Sequence, residues 1–324
     1  MTEPSLVAVG GGSGLSVLLR GLKHQIQGRP ENLTAVVTVA DDGGSSGRLR
    51  RDFGVLPPGD IRNCLVALAD DEDLLARLFQ YRFPNGEGLS GHSFGNLFLT
   101  ALTGITGDFY QAILTAESIL SVRGRILPAT LTDVRLRGLG LSGQVYEGES
   151  QVGNSGERMA TVELHPPNAP AFPPALTAIE EATLIILGPG SLYTSILPNL
   201  LIPGMREAIR RSRAKVLLIL NLMTQPGETD TMTGLDHLDA IERHVGQGLI
   251  DGVLVNSRRP SSRLLERYAA TGSKLVTLSE NELQERSVRL VEADLLAEED
   301  LIRHDPTKLS QKILQLGRRL RAAG

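Results

Sequence analysis

The sequence predicts an α/β protein built on a doubly wound, mostly parallel sheet with a small β-rich insertion. Short apolar runs bounded by turn residues alternate with helical stretches, the pattern of parallel strands joined by right-handed crossovers. Glycine-rich or polar segments follow several of these runs directly, where open α/β sheets bind their ligands. A block from 125 to 165 interrupts the alternation with Thr, Val, Leu and Gly at strand-like spacing.

Leu6–Val9 reads as a buried strand, followed by a glycine turn and a helix from about Gly14 to His24. Leu33–Ala40 is a second strand, continuous and β-branched. Asp60–Ala69, Asp73–Phe83, Gly95–Thr103 and Tyr110–Ile119 carry helical spacing. Arg125–Val162, with turns at Gly138, Gly140, Gly143 and Gly153, reads as an antiparallel insertion, and a proline-rich stretch, His165–Pro174, leads back to α/β texture. Ala182–Leu187, Lys215–Leu220, Gly252–Asn256 and Lys274–Thr277 are further strands. Helices fit at Ser191–Leu197, Met205–Arg213 and Leu235–Val245, with a last one at Thr307–Arg321. The simplest organisation is one α/β domain over residues 1–324 with the insertion at 125–165.

A chain of 324 residues, 41% hydrophobic and 22% charged, can bury a core without disulfides or metals. Its net charge of −4 gives no electrostatic reason to expect nucleic acid. The single cysteine, Cys64, fits a reducing compartment and reads as a small buried apolar residue. No apolar run reaches the ~18 residues of a membrane span, and Leu6–Val9 is too short for a signal peptide. The expectation is a cytoplasmic protein with no membrane partner; a homodimer is common at this size.

Gly10-Gly11-Gly12-Ser13-Gly14 lies between a strand and a helix. Glycines let the backbone approach an anion, and a helix N-terminus offers unpaired N–H groups. The dinucleotide fingerprint is incomplete, because Leu15 stands where its last glycine belongs, and no lysine follows to make a P-loop. Asp41-Asp42-Gly43-Gly44-Ser45-Ser46-Gly47 follows the second strand. Its acids can accept from a ribose or hold Mg²⁺, and its Gly-Gly-Ser-Ser turn can hold a second anion; a solvated Asp-Gly turn is the plain alternative. Asp60 can cap a helix or join Arg62 and Asn63 in binding a polar ligand. His92 sits in a glycine-flanked loop and, with Asp42, is a candidate catalytic residue; Ser93 can cap the helix that Asn96 enters. Gly188-Pro189-Gly190-Ser191 repeats the glycine turn, Asn221 and Thr224 follow a strand end, and Arg303 can reach an anion or remain solvated. His237 and His244 match no metal-ligand spacing, and His304-Asp305 has no supporting ligand set.

VAVGGGSGL (Val7–Leu15), VADDGGSSGRLR (Val39–Arg50), PPGDIRNCLVAL (Pro57–Leu68), GHSFGNLFL (Gly91–Leu99), GPGSLYTSI (Gly188–Ile196) and NLMTQPGET (Asn221–Thr229) resemble the bacterial gluconeogenesis factors, a branch of the CofD-like superfamily. The resemblance runs collinearly from about Leu6 to about Leu316. It implies a Rossmann-like CofD fold in the cytoplasm, binding of UDP-sugars such as UDP-N-acetylglucosamine or of NAD-like dinucleotides, and a need for the protein in cell shape and wall synthesis on gluconeogenic carbon. By motif it places ligand contacts at Gly11, Gly12, Ser13, Gly14, Asp41, Asp42, Asn96, Gly190 and Ser191. The related 2-phospho-L-lactate transferase branch works with Mg²⁺, and the run Asp42–Arg50 resembles the gluconeogenesis-factor pattern more than the transferase pattern.

Three readings follow. A nucleotide-sugar-binding regulator without turnover suits the abundant backbone donors and the lack of a legible nucleophile–base pair. Mg²⁺-assisted phosphoryl or nucleotidyl transfer would use Asp41 and Asp42 for the metal and His92 for a proton. An NAD-dependent oxidoreductase is disfavoured by the broken fingerprint. The ligand-binding candidates are Gly11, Gly12, Ser13, Gly14, Asp41, Asp42, Gly44, Ser45, Asp60, Asn63, His92, Ser93, Asn96, Gly190, Ser191, Asn221, Thr224 and Arg303.

Overall fold

The computed structural model describes residues 4–26, 30–70, 73–298 and 300–323. Its strands are β1 (Leu6–Gly10), β2 (Leu33–Val37), β3 (Arg125–Pro128), β4 (Arg135–Gly140), β5 (Val145–Glu147), β6 (Met159–His165), β7 (Leu184–Leu187), β8 (Lys215–Ile219), β9 (Gly252–Asn256), β10 (Arg289–Ala293), β11 (Leu296–Glu298) and β12 (Ile302–His304). Seven of them form one sheet in the order β10-β9-β8-β7-β1-β2-β3, with every neighbour parallel. The chain winds outward from β1 to β3, then returns to β7 beside β1 and winds the other way. The reversal between β1 and β7 is therefore the switch point of a doubly wound sheet.

Alternation along the central strands supplies two cores. Leu6 and Ala8 of β1 face a layer that includes Leu15, Leu18, Ile61, Leu65 and Ile313, whereas Val7 and Val9 face Leu192, Leu197, Ile209 and Ile241. Both faces are thus covered, which is why these strands read as continuous apolar runs. The helices are α1 (Gly12–Lys23), α2 (Gly44–Phe53), α3 (Gly59–Leu68), α4 (Asp73–Gln80), α5 (Phe94–Thr106), α6 (Phe109–Ile119), α7 (Glu149–Gly153), α8 (Pro173–Glu180), α9 (Leu197–Leu200), α10 (Met205–Arg211), α11 (Gly234–Val245), α12 (Ser262–Ala269) and α13 (Pro306–Ala323). Among the described residues no single helix is long and apolar enough to cross a membrane. Cys64 is free and buried, as its setting in α3 demands.

Several sequence readings need correction. Arg125–Pro128 belongs to the main sheet, in parallel register with β2, so the separate antiparallel sheet comprises only β5-β4-β6. Lys274–Thr277 is no strand of the main sheet. Its backbone pairs with the loop beyond β8, where Thr224 N–H donates to Lys274 O at 2.7 Å and Val276 N–H to Leu222 O at 3.0 Å. The true edge is β10, whose Arg289 and Glu292 hide it from an apolar-run criterion. The second strand stops at Val37, and Thr38 N–H makes the last bond of its ladder with β1, to Gly10 O at 3.0 Å. Residues 44–53, whose first part reads as a Gly-Ser-Ser turn, form α2. The helix expected at Ser191–Leu197 is a π-helical turn, Leu192–Ile196, running into α9.

Candidate functional site

The turn after β1 is shaped by close approaches that only glycine allows. A Cβ on Gly14 would lie 2.4 Å from Pro189 O, in the turn after β7. One on Gly11 would meet Asp60 Oδ2 at 2.5 Å, and Gly12 has φ +65°. Gly11 is the N-cap of α1 and provides no side-chain cap, so the first amides of this 12-residue helix are left for other acceptors. Asp60 takes the N–H of Gly12. Across the switch point, Asn199 Nδ2 donates to Gly10 O at 3.2 Å and to Ser195 O at 2.7 Å, tying the two turns together.

Between them lies a cleft of about 280 Å³, lined by Gly11–Gly14, Pro189–Ser191, Ser195, Asn221–Met223, Gln225 and Ile302–His304. Asn221 Nδ2 donates to Gly190 O at 2.9 Å, and Gln225 Nε2 to Ser191 Oγ at 2.7 Å, which fixes the polar side chains of the far wall. Arg303 supplies the lining with a cation. His304 donates a ring N–H to the carbonyl of Leu220, and burial pulls its pKa down to about 4, so the ring is neutral near pH 7. The cleft therefore combines helix-terminal amides, one guanidinium and neutral hydrogen-bonding groups, a set suited to a phosphorylated polar molecule.

The other candidates gather in an adjoining polar wall, not in the cleft lining. Asp60 joins the two regions, with its carboxyl pushed up to about 7 by burial and then by Asp41. Glu149 of α7 hydrogen-bonds Asp41, and burial with the neighbouring carboxylates lifts it to about 9, so a proton is held in this cluster at neutral pH. Asp41 also accepts from Gly43 N–H at 2.8 Å, and Asp42 from Ser150 N–H at 2.9 Å. Asp42 thereby pins the insertion to the start of α2. Among the described residues no group of three or more His, Cys, Asp or Glu side chains is placed to hold a metal ion, and Asp41 and Asp42, the pair considered for Mg²⁺, accept from Gly43 and Ser150. His92 Nδ1 lies 2.9 Å from Ser45 Oγ, with burial and Arg48 lowering its pKa. Arg62 donates to Ser93 Oγ at 2.7 Å and to Asn63 Oδ1 at 2.7 Å; Ser93 caps α5 by accepting from Asn96 N–H, and Asn96 Nδ2 reaches Ser46 Oγ at 3.4 Å. Gly44, with φ +44°, opens α2. Thr224 is buried and accepts from Lys274 N–H at 2.9 Å, a structural contact away from the cleft.

Of the candidates, then, Gly11, Gly12, Ser13, Gly14, Gly190, Ser191, Asn221 and Arg303 come together in the cleft. Sequence reasoning missed His304, discounted for want of metal ligands, and Glu228, whose carboxylate accepts from Tyr193 N–H at 2.8 Å beneath the second turn. His304 carries no local signal, and Glu228, inside the quoted Asn221–Thr229 segment, carries none that sets it apart from its polar neighbours. Their roles depend on where β12 and the loop after β8 return.

A doubly wound α/β protein with a glycine-lined polar cleft at its switch point is the class that fold and site define. The family model described as 2-phospho-L-lactate transferase CofD matches residues 6–296. The gluconeogenesis factor of Bacillus subtilis is 46% identical over 315 residues, 97% of this chain and 98% of that protein. That of Halalkalibacterium halodurans is 46% identical over 316 residues, 97% of each. A crystal structure of a UPF0052 family member from Bacillus halodurans superposes with a TM-score of 0.91 at 46% identity, covering 97% of this chain and 99% of that one. The chain belongs to the CofD-like family, among its gluconeogenesis-factor relatives.

Proposed function

We propose that this chain is a cytoplasmic regulator that binds a nucleotide sugar, of the UDP-N-acetylglucosamine kind, in the switch-point cleft and acts in cell shape and wall synthesis on gluconeogenic carbon. The observation that carries the reading is the uncapped start of α1, where the Gly11–Gly14 turn faces Gly190, Asn221 and Arg303 across a cleft of about 280 Å³. Such a site binds phosphate through backbone dipoles and leaves neutral side chains to recognise sugar or base. The lining hydroxyl of Ser191 is held on both sides, accepting from Gln225 Nε2 and donating to the buried Glu228 carboxylate, and the neutral His304 ring donates to a carbonyl. Binding without turnover is the simpler outcome of that arrangement. Isothermal titration of the full chain with UDP-N-acetylglucosamine tests it, with one saturable site expected; no heat at millimolar ligand would end the proposal.

The family model's name supports a second reading, transfer of a phosphorus-containing group. Incubation with a nucleotide-activated 2-phospho-L-lactate, a hydroxyl acceptor and Mg²⁺ tests that reading, and release of the nucleoside monophosphate with the phospholactyl group on the acceptor would favour it over binding alone.

A further inference from the structure

The two glycine turns are not equivalent, although the sequence makes both look like phosphate cradles. The turn after β7 is already occupied by a carboxyl group of the protein itself. Glu228 is 3% exposed, and its carboxylate accepts from Tyr193 N–H at 2.8 Å. It also accepts from Thr194 N–H and from the Ser191 hydroxyl. The carboxylate rises from a fixed turn, in which Glu228 N–H donates to Gln225 O at 3.1 Å and Gln225 N–H to Thr229 Oγ1 at 2.9 Å. These amides open the 192–196 turn and are the donors an incoming phosphate would need. Neither Tyr193 nor Thr194 lines the cleft, whereas Ser13 and Gly14 of α1 do.

We infer that Glu228 sets the polarity of the cleft: it closes the β7 turn to phosphate, so the phosphates of the ligand lie on the Ser13 and Gly14 amides and its uncharged end faces Asn221 and Gln225. This rests on the nucleotide-ligand reading above. A phosphate on the β7 side would have to displace the buried Glu228 carboxyl group from its hydrogen bonds to Tyr193, Thr194 and Ser191. On the α1 side Asp60 holds only the Gly12 N–H, and Gly11 brings no side-chain cap to the Ser13 and Gly14 amides. Glu228 is a positioning and specificity residue, and a sequence search for phosphate turns would place half of the ligand wrongly.

Backbone amide NMR of the full chain tests the inference with inorganic pyrophosphate as the probe. In the wild type, Ser13 and Gly14 resonances should move on titration while Tyr193 and Thr194 stay within error. In Glu228→Ala the freed β7 amides should take pyrophosphate, so Tyr193 and Thr194 also move and the bound stoichiometry rises from one to two. Glu228→Gln, which keeps an oxygen acceptor, should show the wild-type pattern and serves if the alanine variant does not fold. Movement of Tyr193 and Thr194 in the wild type would overturn the inference, as would a folded Glu228→Ala protein with unchanged stoichiometry. If none of the four amides responds, it is the nucleotide reading itself that fails.

Discussion

Replacing Gly14 by alanine probes the contact on which the cleft is built. The added Cβ would lie 2.4 Å from Pro189 O, 2.8 Å from Pro189 C and 3.2 Å from Gly190 Cα, against 3.4–4 Å for an ordinary contact. All three neighbours are backbone of the facing turn, which Asn199 and Asn221 hold in place, so the clash cannot be relieved by a rotamer change. The two turns must part by about 1 Å, an overpacking strain of about 1–3 kcal/mol. Urea unfolding should show a loss in that range. The same displacement takes the α1 amides out of register with the far wall. Losing one charge-assisted hydrogen bond to phosphate, about 1.5–3 kcal/mol, should weaken UDP-N-acetylglucosamine binding roughly 10–150-fold by calorimetry. Gly143→Ala is the control: its φ of +86° is strained for alanine but nothing lies within 4 Å, so stability should fall by about 1–2 kcal/mol with binding unchanged. A Gly14→Ala protein as stable and as avid as the wild type would refute the reasoning.

Other outcomes follow from the same geometry. Asp60 is raised from 3.8 to about 7, so its contribution is fully present below pH 4 and is lost as pH rises through 7; stability should decline across that window by up to about 4 kcal/mol, and Asp60→Asn should flatten the decline in chemical-denaturation profiles. His304 is lowered from 6.5 to about 4, so its contribution is present above pH 6.5 and is lost as pH falls toward 4; His304→Asn should remove an acid limb of at most about 3 kcal/mol. Asp42→Ala leaves the Ser150 amide without its acceptor, and hydrogen exchange at Gly148–Val152 should quicken about five-fold or more, for a bond worth ~1 kcal/mol. Arg303→Gln should weaken UDP-N-acetylglucosamine binding at least about tenfold and reduce its salt dependence, read by titration at two ionic strengths.

Much of the fold was legible because the central strands are buried on both faces. LVAVG, LIIL and GVLVN can be little else when glycine or polar turns follow them. The edges were not. β10 carries Arg289 and Glu292 because one side of it meets no further strand of the sheet, and β3 begins with an exposed arginine. The short apolar run at Lys274–Thr277 competed successfully on composition with β10, yet its hydrogen bonds go to the loop after β8, a long-range pairing that local spacing does not encode. Half of the site was legible for a similar reason. Glycines 11, 12 and 14 advertise close backbone approach, and that approach forms one wall of the cleft. Asp41, Asp42 and His92 advertise chemistry; in the structure they lie outside the cleft lining, with side chains hydrogen-bonded to Gly43, Ser150 and Ser45. A carboxylate pinning an insertion and one facing a ligand look alike in sequence. Glu228, which closes the second turn, gave no sign of its role, since the amides it holds lie some 35 residues back along the chain.

A co-crystal structure with UDP-N-acetylglucosamine tests the central claim most directly. The diphosphate should lie between the turns that follow β1 and β7, with its oxygens about 3 Å from the amides of Ser13 and Gly14. Density for the nucleotide on any other face, with this cleft holding only solvent, would contradict it.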